Sequence, residues 1–217
     1  MLRDEAIAAI KLVMANRSSA LIDTWLKQNG TGFDLAQTTL EMAPEKPWFL
    51  LSEDSFASTT SGEERLALPS DFLSEDEDAV LRYVPTDTTK EEIQLKKYPY
   101  DDLKATYKRA DTGEPEAYAK YGNYFRIFPL PNAAYQIRMV YYKKGTRLAN
   151  NVENEWLKWA PMLFMGSAGL IIAQGPVRDA KAAEIFSGWI QTGSSLLATE
   201  NENQKMVNRD LQMGGAH

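Results

Sequence analysis

The stretch Tyr118-Ala119-Lys120-Tyr121-Gly122-Asn123-Tyr124-Phe125-Arg126-Ile127-Phe128 decides the fold. Two aromatic limbs flank Gly122-Asn123, a pair suited to the positive backbone angles of a two-residue turn, so the stretch predicts a β-hairpin. Outward on the C-terminal side, Pro129, Pro131 and Asn132 turn the chain into a strand over 135–142. Its alternation sets Tyr135, Ile137, Met139 and Tyr141 on one face and Gln136, Arg138, Val140 and Tyr142 on the other, one face core and the other half wet. Outward on the N-terminal side, residues 86–115 read as an irregular crossing, with a short helix beginning at Tyr100-Asp101-Asp102-Leu103 and a turn at Asp111-Thr112-Gly113. Before it, Ala79–Val84 predicts a strand, and Phe56, Ser58 and Thr60 a strand that returns through Ser61-Gly62 to Arg65-Leu66-Ala67-Leu68 as a hairpin. Residues 48–149 are therefore expected to form a β-rich lobe.

On both sides of this lobe the period changes to that of helices. Residues 2–15 place Leu2, Ala6, Ile10 and Val13 on one face; Ser18 or Ser19 caps a segment carrying Leu21, Ile22, Trp25 and Leu26. A third helix is predicted from about Phe33 to Ala43, with Phe33, Ala36, Leu40 and Ala43 on one side, ended by Pro44 and Pro47. Beyond the lobe, Asn154 caps Glu155-Trp156-Leu157, and Pro161 either kinks this helix or restarts it through 174. Gly166, Ala168, Gly169 and Ala173 weaken that helix unless a neighbour approaches closely, and the next helix supplies one, with Ala180, Ala183, Phe186, Ile190, Gly193 and Leu197 at steps of three and four. The two are expected to pack antiparallel. The pattern decays from Thr199, so residues 199–217 read as an extended tail whose Met206, Val207, Leu211 and Met213 are the apolar anchors for docking on a partner. The fold class is α+β: a helical bundle built from residues 1–47 and 150–198, an inserted antiparallel β lobe, and the tail.

Composition excludes much of catalysis. The chain has no cysteine and a single histidine, His217, so no thiolate nucleophile, zinc-cysteine cluster or Ser-His-Asp triad can be built. Two-carboxylate hydrolysis of glycosides is the remaining chemistry, and Asp101 with Asp102 or Glu63 with Glu64 would have to span a cleft to perform it; adjacent solvated carboxylates are the plainer reading. The run Glu75-Asp76-Glu77-Asp78 lacks the spacing of a calcium loop and reads as solvated. We therefore expect no catalytic residue, no cofactor and no metal. With 24 Lys and Arg against 30 Asp and Glu, the net charge of −6 argues against a sequence-independent grip on nucleic acid. The charged start Arg3-Asp4-Glu5 is unlike a secretory signal, and the apolar stretch from Trp159 to Ala173 is short of the roughly 20 residues of a spanning helix. Synthesis in the cytoplasm with no membrane attachment is expected. The tyrosine-rich strands suit core or protein contact, with Tyr124, Arg126, Arg138 and Tyr142 as candidate interface residues; sugar binding by exposed tyrosines is the other reading.

Several segments then form an ordered series: Leu66-Ala67-Leu68-Pro69-Ser70-Asp71-Phe72-Leu73, Gly113-Glu114-Pro115 leading to Tyr118, Phe125-Arg126-Ile127-Phe128-Pro129-Leu130-Pro131, Tyr141-Tyr142, Asn154-Glu155-Trp156-Leu157, and Ala160-Pro161 before a Gly- and Ala-rich helix. In this order and spacing the chain resembles the head-to-tail adaptor proteins of tailed bacteriophages, the group of tail tubular protein A, over roughly residues 1–198. The acidic run after Pro69-Ser70-Asp71-Phe72 departs from the ordinary strand expected there. The resemblance implies a structural virion protein at the head-tail junction, forming a ring, commonly of twelve copies, below the portal protein. Such a ring continues the DNA channel without binding the genome specifically and offers a platform to a downstream tail or nozzle protein. It also implies that a terminal segment reaches into the portal, and residues 199–217 are the candidate. A receptor- or glycan-binding module, or a cell-wall hydrolase using paired carboxylates, are the alternatives.

Overall fold

A computed structural model describes residues 2–15, 19–28, 30–76, 81–85, 91–108, 111–150 and 152–214, the side chains of 54–56 and 205–214 excepted. The chain opens with helices α1 (Arg3–Val13), α2 (Ser19–Lys27) and α3 (Gly32–Glu41) and a 3-10 turn at Trp48–Leu50. Strands β1 (Leu51–Ser58), β2 (Arg65–Ala67), β3 (Phe72–Glu75), β4 (Arg82–Val84), β5 (Ile93–Gln94) and β6 (Lys96–Lys97) follow, then α4 (Tyr100–Thr106). Strands β7 (Thr112–Gly113), β8 (Ala117–Tyr121), β9 (Tyr124–Phe128), β10 (Leu130–Pro131) and β11 (Gln136–Lys143) precede α5 (Glu155–Trp159), α6 (Pro161–Gln174) and α7 (Ala180–Gly214). The class is α+β. Two compact units result, a helical one of residues 1–50 with 145–217 and a β unit of residues 51–144.

In the β unit the expected hairpin is present, with Tyr121 opposite Tyr124 and Gly122 at φ +61° in the turn. It lies in a four-stranded sheet ordered β2-β9-β8-β6, in which β6 runs parallel to β8 and the other pairs are antiparallel. The second sheet is built on β11. Along one edge β11 pairs with β1 from Leu51↔Tyr142 to Ser58↔Gln136; along the other, β4 faces its first half and β3 its last. The inward alternation of β11 is as expected, with Tyr135, Ile137, Met139 and Tyr141 buried. They meet Leu66, Tyr118, Phe125 and Ile127 of the other sheet, together with Leu81, Tyr83 and Leu95, in one apolar core. On the far side of the four-stranded sheet, Ala117, Ala119 and Phe128 are covered by Leu103 of α4.

The expected hairpin through Ser61-Gly62 is not formed. β1 pairs in one sheet and β2 in the other, so the segment between them crosses from sheet to sheet. What holds the crossing is backbone polarity: the Thr59 N–H donates to Tyr135 O at 2.9 Å, the Thr59 hydroxyl donates to Ala133 O and accepts from the Tyr135 N–H, and the Gly62 N–H donates to Pro131 O at 2.8 Å. Asp111-Thr112-Gly113, expected as a turn, contributes β7, which pairs parallel with β10. Glu75 ends β3, where Lys97 Nζ lies 2.7 Å from its Oε2; Glu77 and Asp78, with Ala79, lie outside the described residues.

In the helical unit α6 is the central element, and its two sides differ. Phe164 sets its ring 5.3 Å from that of Phe33 on α3, whereas Gly166 and Gly169, on the opposite side of the helix, face α7. A Cβ on Gly169 would stand 2.5 Å from the Phe186 ring, and one on Gly193 of α7 would stand 2.5 Å from the backbone N of Leu163. Gly193 meets Leu163 and Gly169 meets Phe186, so the pair is antiparallel at backbone contact. Pro161 restarts the chain as the first residue of α6 after α5, whose N-terminus is capped by the Asn154 side chain accepting from the Leu157 N–H at 3.0 Å. The last helix does not stop near residue 198: α7 runs unbroken to Gly214, so the expected extended tail is helical as far as the described residues reach. Asn201 explains part of this, since its Oδ1 accepts from the Trp48 N–H at 3.1 Å, and Gln204 bonds Glu200 one turn back at 3.0 Å.

Two outcomes follow. Gly193→Ala should destabilise the helical unit by about 1–3 kcal/mol, because the clash outweighs the gain in helix propensity, whereas Gly188→Ala, whose Cβ meets nothing within 4 Å, should stabilise it by about 0.5–1 kcal/mol; urea unfolding of both variants checks the sign of each. In the β unit, burial first and then a 2.8 Å hydrogen bond donated to Glu114 push the Tyr83 hydroxyl up to about 12, and burial with the nearby Glu75 charge does the same for Tyr118. Below pH 10, the ordinary tyrosine value, folded and unfolded chains both hold these protons; between 10 and about 12 only the folded lobe does, so stability falls as pH rises through that window. Denaturant midpoints of the protein and of Tyr83→Phe across pH 9–12 should show a shallower decline in the variant.

Candidate functional site

The four candidate interface residues lie on two strands and do not form one patch. Tyr124 and Arg126 alternate on the outward side of β9, since Phe125 and Ile127 point into the core; Arg138 and Tyr142 lie on the outward side of β11, in the other sheet. Tyr124 is 43% exposed and carries the Arg65 guanidinium over its ring at 5.8 Å. Arg126 is buried instead. Its guanidinium pairs with the Glu64 carboxylate and sits 5.7 Å from the Tyr100 ring centroid and 5.9 Å from that of Tyr121, while its Nε makes no hydrogen bond. Two rings and a carboxylate thus hold one cation, and Arg126 fixes α4 and the β2 approach to the sheet. Lys104 Nζ also lies over the Tyr100 ring, 4.6 Å from its centroid, and its bond to the Tyr100 hydroxyl holds the ammonium above its ordinary range. Gly62, Glu63, Glu64, Tyr100, Lys104 and Tyr107 line a cleft of about 550 Å³ beside this cluster. Arg138 reaches Glu92 at 2.5 Å, and Tyr142 is half-buried between its partners Leu51 and Ser74.

The other singled-out groups have structural occupations. Tyr118, Tyr135 and Tyr141 are core residues, Tyr135 donating to Asn132 at 2.6 Å and Tyr141 to Asp71 at 3.1 Å. Asp101 and Asp102 are exposed in the first turn of α4, and of the two carboxylates on the cleft wall, Glu63 and Glu64, the second is neutralised by Arg126. Among the described residues no three His, Asp or Glu side chains gather to hold a metal ion, and no helix is long and apolar enough to cross a membrane. The side chains of Met206, Val207, Leu211 and Met213 lie outside the described residues, on the backbone of α7; His217 lies outside them altogether.

A polar cluster in the helical unit was not anticipated from the sequence. Gln37 and Glu41, one turn apart on α3, are buried together with Asn154. Glu41 Oε1 accepts from the Gly145 N–H at 2.9 Å and from Gln37 Nε2 at 2.7 Å, and its other oxygen lies 3.5 Å from Arg147. Gln37 Nε2 also donates to Gly145 O at 2.8 Å, and Asn154 Nδ2 donates to Gln37 Oε1 and Thr146 O. Gly145 is the first residue of this unit after the β insertion, so α3 and α5 clamp the chain where it re-enters. Space there is tight: a Cβ would stand 3.1 to 3.3 Å from Gln37, Trp156 and Glu41, so a side chain would press these groups outward by a few tenths of an ångström. The signal available beforehand was two polar residues at i and i+4 beside the apolar stripe of α3, which amphipathic periodicity assigns to water.

Residues 1–187 match the family model described as SU10 adaptor protein. The chain belongs to this family. No curated protein matches it. As a phage adaptor protein the chain is a structural component of the virion that associates with other virion parts. The match covers the β unit, α1 to α6 and the start of α7; residues 188–217 fall beyond it.

The clamp is testable by itself. Glu41→Ala leaves the Gly145 N–H without its acceptor and the Gln37 amide without one of its two, in a buried site, and should cost about 2–3 kcal/mol; the measurement is urea unfolding followed by tryptophan fluorescence, which Trp156 beside the clamp reports.

Proposed function

We propose that this SU10-family adaptor forms a ring, of twelve copies, below the portal protein of a tailed phage, extends the DNA channel and provides the platform for a tail or nozzle protein. The family match carries the adaptor role. What supports the docking reading is α7: its contact with α6 ends near Gly193, yet the helix continues to Gly214, about 30 Å further at 1.5 Å per residue. A helix of that reach, ending in Met206, Val207, Leu211 and Met213, is suited to enter a groove on the portal, where an amphipathic segment gains its packing from the partner. The net charge of −6 suits a conduit through which DNA slides, since a like-charged wall does not retain phosphates. The chemistry of the described residues is spent on holding the fold, which fits a non-enzymatic part placed at the head-tail junction.

The test is sedimentation velocity of the chain with the portal ring encoded by the same genome. The full chain should co-sediment with the portal in a whole-number ratio, and a chain ended at Gln204, which keeps the Trp48 contact of Asn201, should remain folded and bind at least tenfold more weakly. Independent sedimentation of full chain and portal across a range of salt would remove the adaptor-on-portal reading; undiminished binding by the shortened chain would move the docking site off the end of α7.

A further inference from the structure

Among the described residues of the helical unit, α1 and α7 each present an uncovered face. On α1, Ala6, Ile7 and Ile10 are buried, as is Met14 just past its end, and the opposite side presents Asp4, Ala8 and Leu12, one or more turns apart. Leu12 is 74% exposed, a large apolar side chain on an otherwise small-residue face. On α7, Ala182, Phe186 and Gly193 are buried, and the opposite side presents Lys181, Glu184, Gly188, Gln191 and Ser195, flanked by the exposed Ile185 and Leu196. From Ile185 to Thr199 this helix carries no charge on any side.

Gly188 is the anomaly. Gly166, Gly169 and Gly193 each admit a neighbour at backbone contact, whereas a Cβ on Gly188 would meet nothing within 4 Å. Glycine weakens a helix interior, so at this position the weakness has no return within the unit. The two faces do not meet within the chain: α1 packs on α2 and α6, α7 packs on α6, and Leu12 and Gly188 are both exposed. They are, however, complementary. Asp4, 76% exposed at a surface contact of 3.8 Å with Arg3, precedes Leu12 by eight residues, and Lys181, with Glu184 one turn on, precedes Gly188 by seven, which is about 12 and 10 Å along the helices. Laid parallel, the faces set acid beside base at one end and leucine over glycine about two turns on.

We propose that α7 of one copy docks on α1 of the next, with Leu12 seated over Gly188 and Asp4 beside Lys181. The occupant is a second copy, since both halves of the contact, matched in spacing, in charge sign and in shape, are on this one chain. The contact is heterologous, joining two different faces, and such a contact propagates from copy to copy and closes into a ring when the rotation permits. The inference rests on the ring reading and says which helix faces make the ring.

The chain has no cysteine, so engineered thiols report without interference. Protein assembled on the portal, or alone at high concentration, is oxidised as Leu12→Cys, as Gly188→Cys, as a mixture of the two, and as the double variant. The mixture should give covalent dimers, neither single variant should, and the double variant should give a ladder of multiples ending at the closed ring. Gly188→Trp, which the open space around Gly188 admits, should keep the circular dichroism of the parent and lose assembly at least tenfold in midpoint concentration. Self-crosslinking of Gly188→Cys alone, or normal assembly of Gly188→Trp, overturns this contact and leaves the ring standing. A parent protein that stays monomeric both alone and with the portal removes the ring and this contact together.

Discussion

The helical unit depends on how closely α7 can approach α6. Three glycines, Gly166, Gly169 and Gly193, take the place of side chains along this contact, so that Phe186 lies against the α6 backbone and Leu163 against that of α7. Dispersion and apolar burial at such short range offset the propensity those glycines give up, about 1 kcal/mol each. With α7 fixed on one side, the other side of α6 is free to carry Phe164 into an aromatic group with Phe33 and Trp156, and Trp156 in turn meets Phe49. The chain leaves this unit after Leu50, next to Phe49, and re-enters it at Gly145.

The parts of the fold legible in the sequence are those whose partners are close along the chain. Gly122-Asn123 between aromatic limbs states its own pairing, and Pro161 after Trp159 states its own break. The alternation of β11 names its buried face correctly because one face of that strand meets the opposing sheet and the other does not. By contrast, Phe56–Leu68 contains two strands around a Gly, and nothing local says that they belong to different sheets. That assignment is made by Thr59 reaching Tyr135, a partner 76 residues on. The continuation of α7 was hidden for another reason: Glu200-Asn201-Glu202-Asn203-Gln204 has no apolar stripe, yet Glu and Gln are good helix formers and Asn201 finds an acceptor role at Trp48.

The candidate site divides in the same way. Tyr124 is exposed as its strand position suggests, but Arg126, two residues along the same face, is enclosed because α4 and the β2 approach supply Tyr100 and Glu64 from distant segments. Alternation gives the face and cannot give what later covers it. Gln37 and Glu41 show the converse, polar residues drawn inside by the backbone of Gly145 more than a hundred positions away. Buried polarity of this kind has no periodic signature, since its partner is a peptide group rather than a side chain.

The pairing of β1 with β11 begins almost at the boundary of the insertion, with Leu51 opposite Tyr142. The two ends of a lobe of nearly a hundred residues are therefore one ladder step apart, about 5 Å. Because those ends meet, the length and content of the lobe do not set the register of the helices. An insertion whose ends lie one step apart can be lengthened or shortened between Leu50 and Gly145 without parting the chain ends that Gln37 and Glu41 hold.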